Sequence, residues 1–276
     1  MGFDKRLTPA RPDLAAAYLK GKVEAARFVA GEAASIVVGR ASLRNRPAAD
    51  AAQDTELLHG ERVAVYERKD GWAWVQAEND SYVGYLREAC LGPAFEPQLQ
   101  ISALMTPVFP RPDLKAPVKD MLPMTAEVAL LGREGDYLMI GADAFVHQHH
   151  VCLLTEAQPD WVAVAEAYFG VPYVWGGKTF AGLDCSGLVQ TALAAAGARC
   201  PRDTDMMEQQ FGDSPDITPM RGDLVFWKGH VGVMLDGERL LHANAFHMMV
   251  AIEPLGAAVE RIEKFAGPVT SVKRPR

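Results

Sequence analysis

The sequence contains no run of about 18 apolar residues, so it offers no segment able to span a bilayer as a helix. Its first residues, MGFDKRLTPARPDLAAAYLKGKVEAARF, hold no apolar stretch that reads as a signal peptide. Arg6 stands where a myristoylation signal needs Ser or Thr. Excess positive charge is also missing. The formal net charge is −7, which argues against a general binder of nucleic acid or of anionic lipid. Cysteine is scarce: Cys90, Cys152, Cys185 and Cys200 are widely and irregularly spaced, with no C-x-x-C pair to suggest a zinc or redox site. The expectation is a cytoplasmic, thiol-reduced monomer with no nucleic-acid or membrane partner.

What is present is ordinary globular composition, 49% hydrophobic and 23% charged over 276 residues, enough for one large or several small domains. The first two-fifths read as short strands. In AVYERKDGWAWVQ, two β-prone runs flank a Lys-Asp-Gly turn, a hairpin signal, and DSYVGYL is a further strand. Short, evenly spaced strands suggest a small barrel. After the proline-bearing GPAFEPQLQ, the segment GREGDYLMIGADAFVHQHH repeats the order of turn, aromatic, strand and extended exit, which reads as a weak internal duplication. From LTEAQPDWVAVAEAYFG the character changes. Trp161, Val164, Ala165 and Tyr168 fall at helical spacing, and CSGLVQTALAAAG reads as a second helix stopped by Gly197. GDLVFWKG, HVGVMLDG, RLLHANA and MMVAIEPL read as strands. The expected layout is an N-terminal arm at 1–30, β barrels at 31–92 and 98–155, and an α+β domain at 160–276.

Cys185 sits where a Gly-rich loop meets a helix. The helix dipole and the free N–H groups of the first turn favour a thiolate there, and the same groups could hold an oxyanion. A free cysteine is more often buried and inert, and Cys90, Cys152 and Cys200 are read that way. Polar Asp184 and Ser186 on either side set Cys185 apart. Among the histidines, His59 lies in a turn, and His147, His149 and His150 form a cluster without a second ligand group, read as surface rather than metal. His230 opens HVGVML and His242 lies in LLHANA. If these strands form a hairpin centred on Gly237, residue 230 faces 244 and His242 is its diagonal neighbour, roughly 7–8 Å away. A slip of one residue would turn them to opposite faces. In the favourable register His242 orients His230, and His230 serves the thiol as base, the triad logic in cysteine form.

These residues resemble a known family. PYVWGGKTFAGLDCSGLVQTAL, RGDLVFWKGHVGVML and LLHANA, in this order, are similar to the NlpC-type cell-wall cysteine peptidases, a papain-like group, over about residues 160 to 276. The front half resembles the bacterial SH3-like barrels often joined to them. The whole looks like the γ-D-glutamyl-L-diamino acid endopeptidases of the dipeptidyl-peptidase VI type. The resemblance implies cleavage of the γ-D-glutamyl to diaminopimelate or lysine bond in murein tri- or tetrapeptides with a free N-terminal L-Ala, in peptidoglycan recycling. It implies a catalytic Cys185, His230 and His242, with no metal or other cofactor. It assigns Tyr82 of the first barrel to the substrate, and Asp184 to the substrate ammonium. Ser186 is a substrate contact on the same grounds. PRDTDMMEQ resembles the family's Pro-Arg-Asp-Ser segment with Thr204 in place of Ser, which makes Asp203 and Thr204 candidate contacts. Glu56 is a loose match to a barrel glutamate, and Trp175 is a candidate pocket wall. Two alternatives stay open on the same residues: an acyl transferase or amidase, and a catalytically silent wall-peptide binder.

Overall fold

The computed structural model describes residues 3–213 and 218–275. The chain divides into two compact units, Met1–Leu154 and Thr155–Arg276.

Among the described residues the N-terminal unit is all β apart from single 3-10 turns. Its main sheet has seven strands. In spatial order they are Gln53–Leu58, Arg40–Arg44, Val83–Arg87, Trp72–Ala77, Arg62–Lys69, Glu32–Ile36 and Leu91–Pro93. The hairpin Arg62–Lys69/Trp72–Ala77 closes with Lys69 opposite Trp72. Its two turn residues, Asp70 and Gly71, both have positive φ, at 51° and 75°. That is the mirror-image turn whose twist matches paired strands, and a Gly second is the residue it favours. Residues 10–29 of the N-terminal segment pack against this sheet. Leu14, Ala16 and Leu19 are buried with Tyr66 and Trp74 of the sheet, and Arg11 stacks over Trp74 at 4.3 Å.

The second β region is built differently from the first. It forms small separate sheets: Leu99–Ile101 lies between Glu127–Val128 and Val151–Leu153, Met105–Val108 pairs with Asp120–Pro123, and Tyr137–Gly141 lies between Gly132–Glu134 and Ala144–His147. The echo seen in the sequence holds for the hairpin and its exit strand but not for the sheet around them. Leu58 of the first region lies in the core of the second, with Leu99, Leu122 and Val146.

Among the described residues the C-terminal unit carries four helices, α1 (Trp161–Glu166), α2 (Cys185–Ala195), α3 (Thr204–Gln210) and α4 (Leu255–Ala266). Its six-stranded sheet runs in the order Gly212–Asp213, Ser271–Arg274, Leu224–Trp227, His230–Met234, Arg239–Asn244 and Met249–Pro254. Helix α2 is buried nearly all round, not along one face, and packs on His230–Met234 and Arg239–Asn244. Helix α4 lies within the part of the sequence read only as strands. Its Ala258 and Ile262 are buried with Val225, Trp227, Met234 and Leu240 of the sheet. Among the described residues no helix is long and apolar enough to cross a membrane.

Candidate active site

The strands bearing the two histidines pair as the hydrophobic pattern requires. Val233 lies opposite Leu241 and Met234 opposite Leu240. Continuing that register puts His230 opposite Asn244 and makes His242 its diagonal neighbour on the same face. The rings meet: His230 Nε2 lies 2.8 Å from His242 Nδ1. His230 itself follows a tight turn at Lys228 and Gly229, with Trp227 opposite His230 and Gly229 at φ 75°.

Cys185 is the first residue of α2 and is buried. Its Sγ receives the backbone N–H groups of Val231 and Ser186, and the first of these puts the sulfur beside the residue that follows His230. The thiolate expected from the helix start meets a stronger opposing effect. Burial, reinforced by the neighbouring Asp184 charge, pushes the thiol up to about 12, and the two N–H bonds only partly offset this. Burial likewise pushes His230 down to about 3, and it lowers His242. Both shifts favour the neutral thiol and the neutral imidazole over their charged forms.

Asp184 is the N-cap of α2, with Oδ1 accepting the Gly187 N–H at 2.7 Å. That N–H is thus spent on the cap and not held for an oxyanion. Oδ2 accepts the Gly176 N–H at 2.8 Å. Arg202, 1% exposed, donates to both oxygens, at 3.0 Å to Oδ1 and 2.7 Å to Oδ2. Ser186 Oγ accepts from Arg202 at 2.8 Å and donates to Asp184 Oδ1 at 3.3 Å. Asp184, Ser186 and Arg202 thus form one buried, internally neutralised cluster beside Cys185. Asp203 and Thr204 follow Arg202 directly, with Thr204 buried at the start of α3. Trp175 is 68% exposed, next to the Gly176 that holds Asp184. Tyr82 belongs to the N-terminal unit, where it is buried and its backbone N–H is held by Asp80. Glu56 of the same unit is also buried, paired with Arg40 at 2.5 Å.

Four residues that shape this site were not singled out in the sequence. Arg202 stood inside the PRDTD segment, unmarked beside Asp203. Tyr173 is pushed up by burial and by the nearby Cys185 and Asp184. Glu253 Oε1 lies 2.7 Å from His242 Nε2 and also pairs with Arg261 of α4. The sheet register held the signal for Glu253. His242 lies opposite Ala251, so Glu253, two residues on, shares its face. His242, His247 and Glu253 bring ligand atoms within 4.8 Å of one another, a donor set able to hold a divalent cation. There, however, His242 and Glu253 already bond to each other, and Arg261 adds a positive charge.

Residues 170–260 match the NlpC/P60 family, and residues 43–91 match the bacterial dipeptidyl-peptidase SH3 domain. The NlpC/P60 match lies within the C-terminal unit and takes in Cys185, His230 and His242. Among curated relatives, a γ-D-glutamyl-L-lysine dipeptidyl-peptidase of Bacillus cereus is 24% identical over 247 residues, covering 78% of this chain and 74% of that protein. Dipeptidyl-peptidase 6 of Lysinibacillus sphaericus is 38% identical over 84 residues, but the match covers only 30% of this chain and 31% of that protein. A crystal structure of an NlpC/P60 family protein from Bacillus cereus superposes with a TM-score of 0.75 at 18% identity, covering 88% of this chain and 99% of that one. The NlpC/P60 unit thus has the expected papain-like fold, preceded by an SH3-like all-β region. These likenesses support a cysteine peptidase of this family.

Proposed function

We propose that this NlpC/P60 protein hydrolyses the γ-D-glutamyl to L-diamino acid bond of murein stem peptides bearing a free N-terminal L-Ala, within peptidoglycan recycling. The observation that carries the chemistry is the bonded His230–His242 pair beside the buried thiol at the start of α2. Cys185 Sγ attacks the γ-carbonyl carbon as its proton passes to His230. The tetrahedral adduct expels the diamino-acid amine, which takes the proton from His230. Water then attacks the thioester, with His230 again as base, releasing the acid and restoring the thiol. The neutral resting pair fits proton transfer that accompanies attack. The name of the Bacillus cereus γ-D-glutamyl-L-lysine dipeptidyl-peptidase supports the choice of bond.

Asp184, Ser186, Asp203, Thr204, Trp175 and Tyr82 are the proposed substrate contacts. A substrate ammonium reaching Asp184 would share its oxygens with Arg202 instead of meeting an unpaired carboxylate. The test is mass spectrometry of products from L-Ala-γ-D-Glu-diaminopimelate and its N-acetylated form, under reducing conditions. The free peptide is expected to yield L-Ala-D-Glu and the diamino acid, and the blocked peptide to survive. Cys185→Ala should abolish turnover. A new amide in the products would mean acyl transfer, and no cleavage by folded protein would defeat the proposal.

A further inference from the structure

The histidine pair does not end at His242. Its Nε2 lies 2.7 Å from Glu253 Oε1, and the same carboxylate pairs with Arg261, which also stacks over Phe246 at 4.4 Å. The bonds from His242 and Arg261 hold the Glu253 carboxyl below its ordinary range, so it is ionised and can only accept. Its partner nitrogen, His242 Nε2, must therefore be the one that carries hydrogen. A neutral imidazole has a single N–H, so His242 Nδ1 is left as an acceptor. His230 Nε2 faces that acceptor at 2.8 Å and must be the donor. The lone pair of His230 then falls on Nδ1.

We infer that Glu253 is a positioning residue that fixes the tautomers of both histidines and so leaves His230 Nδ1 as the free base for the Cys185 thiol. Donation runs in one direction, from His230 to His242 to Glu253. Run the other way, the same two bonds would put hydrogen on His230 Nδ1, and the thiol would face a donor instead of a base. Arg261 keeps the direction fixed because it, too, demands an acceptor at Glu253. This rests on the reading of Cys185 and His230 as nucleophile and base, but not on any particular peptide substrate.

The test is ¹⁵N-histidine NMR of the intact protein together with the rate at which iodoacetamide alkylates Cys185. In wild type, His230 and His242 should both appear as Nε2–H tautomers. In Glu253→Gln, Arg261 claims the amide oxygen, so the amide NH₂ faces His242 Nε2. Both tautomers should then invert, and alkylation should slow by about 100-fold, the low end of what a general base contributes. Glu253→Gln combined with Arg261→Met frees the amide oxygen to face His242 and should restore the Nε2–H tautomers and most of the rate. Nδ1–H tautomers in wild type would overturn the inference, as would a folded Glu253→Gln with unchanged spectra and alkylation. If Glu253→Gln fails to fold, the wild-type spectrum alone decides. Neither readout uses a peptide, so failure to cleave murein peptides would count against the substrate and not against this relay.

Discussion

Arg202 spans both carboxylate oxygens of Asp184 from a position 1% exposed to solvent. The pair cannot be separated cheaply. A fork-shaped guanidinium satisfies two oxygens at once, which an ammonium cannot do. Removing one partner strands the other charge in a buried site, a change that costs about 3–5 kcal/mol. Arg202→Met should therefore lower the thermal unfolding midpoint of the C-terminal unit sharply, and Arg202→Lys should recover only part of it. Asp184→Asn should be nearly as damaging. The double variant Asp184→Asn/Arg202→Met should be milder than the two single changes added together, as a thermal-melt cycle would show.

Gly187 is the third residue of α2, two beyond Cys185, and a Cβ there would lie 2.1 Å from the Gly177 carbonyl oxygen. That contact is with backbone, so relief requires the helix start to move. Gly187→Ala should cost about 1–3 kcal/mol through overpacking. It should also displace Cys185 from the Val231 N–H and slow its alkylation, whereas Gly256→Ala, which meets nothing within 4 Å, should do neither.

The sequence exposed the parts of this site that local chemistry and strand period determine. Cys185 at a loop-to-helix junction and the even spacing of His230 and His242 were legible, because a hairpin centred near Gly237 fixes which residues share a face. Glu253 and Arg261 were not, since their approach to His242 depends on a strand and a helix added after that hairpin. Helix α4 was missed for a related reason. It buries only Ala258 and Ile262, with Leu255, Val259 and Ala266 half-covered, so its apolar stripe is thin and follows directly on the strand that carries Glu253. The thiolate expectation was also incomplete. A sequence shows that a cysteine begins a helix, but not that packing will bury it and set the desolvation cost against the dipole.

The N-terminal segment should behave as part of its unit and not as an appendage. Leu14 is fully buried, with Tyr66 and Trp74 in the same cluster. Leu14→Ala should cost about 2–5 kcal/mol, the range for emptying a buried leucine site. Tryptophan fluorescence during denaturant unfolding would report it, because Trp74 is packed in that cluster. An unchanged midpoint would show that the segment adds nothing to the sheet.

Acid should loosen the C-terminal unit before it protonates most carboxylates. Burial holds His230 down to about 3 and His242 below its ordinary 6.5, while both recover that ordinary value when the chain unfolds. The unfolded chain thus binds more protons below pH 6.5. The stability from keeping these rings neutral is complete above about pH 6.5 and is lost as the pH falls, for His230 down to about 3. Each such ring adds a slope of up to about 1.4 kcal/mol per pH unit below 6.5 while it stays neutral in the folded chain. Below 4.5 the slope steepens, because Glu253 is also held low by its bond to His242. Urea melts of wild type and His230→Asn between pH 7.5 and 4 would measure this. The variant should lose about one proton's worth of slope, and equal slopes would mean that His230 is not buried as a neutral ring.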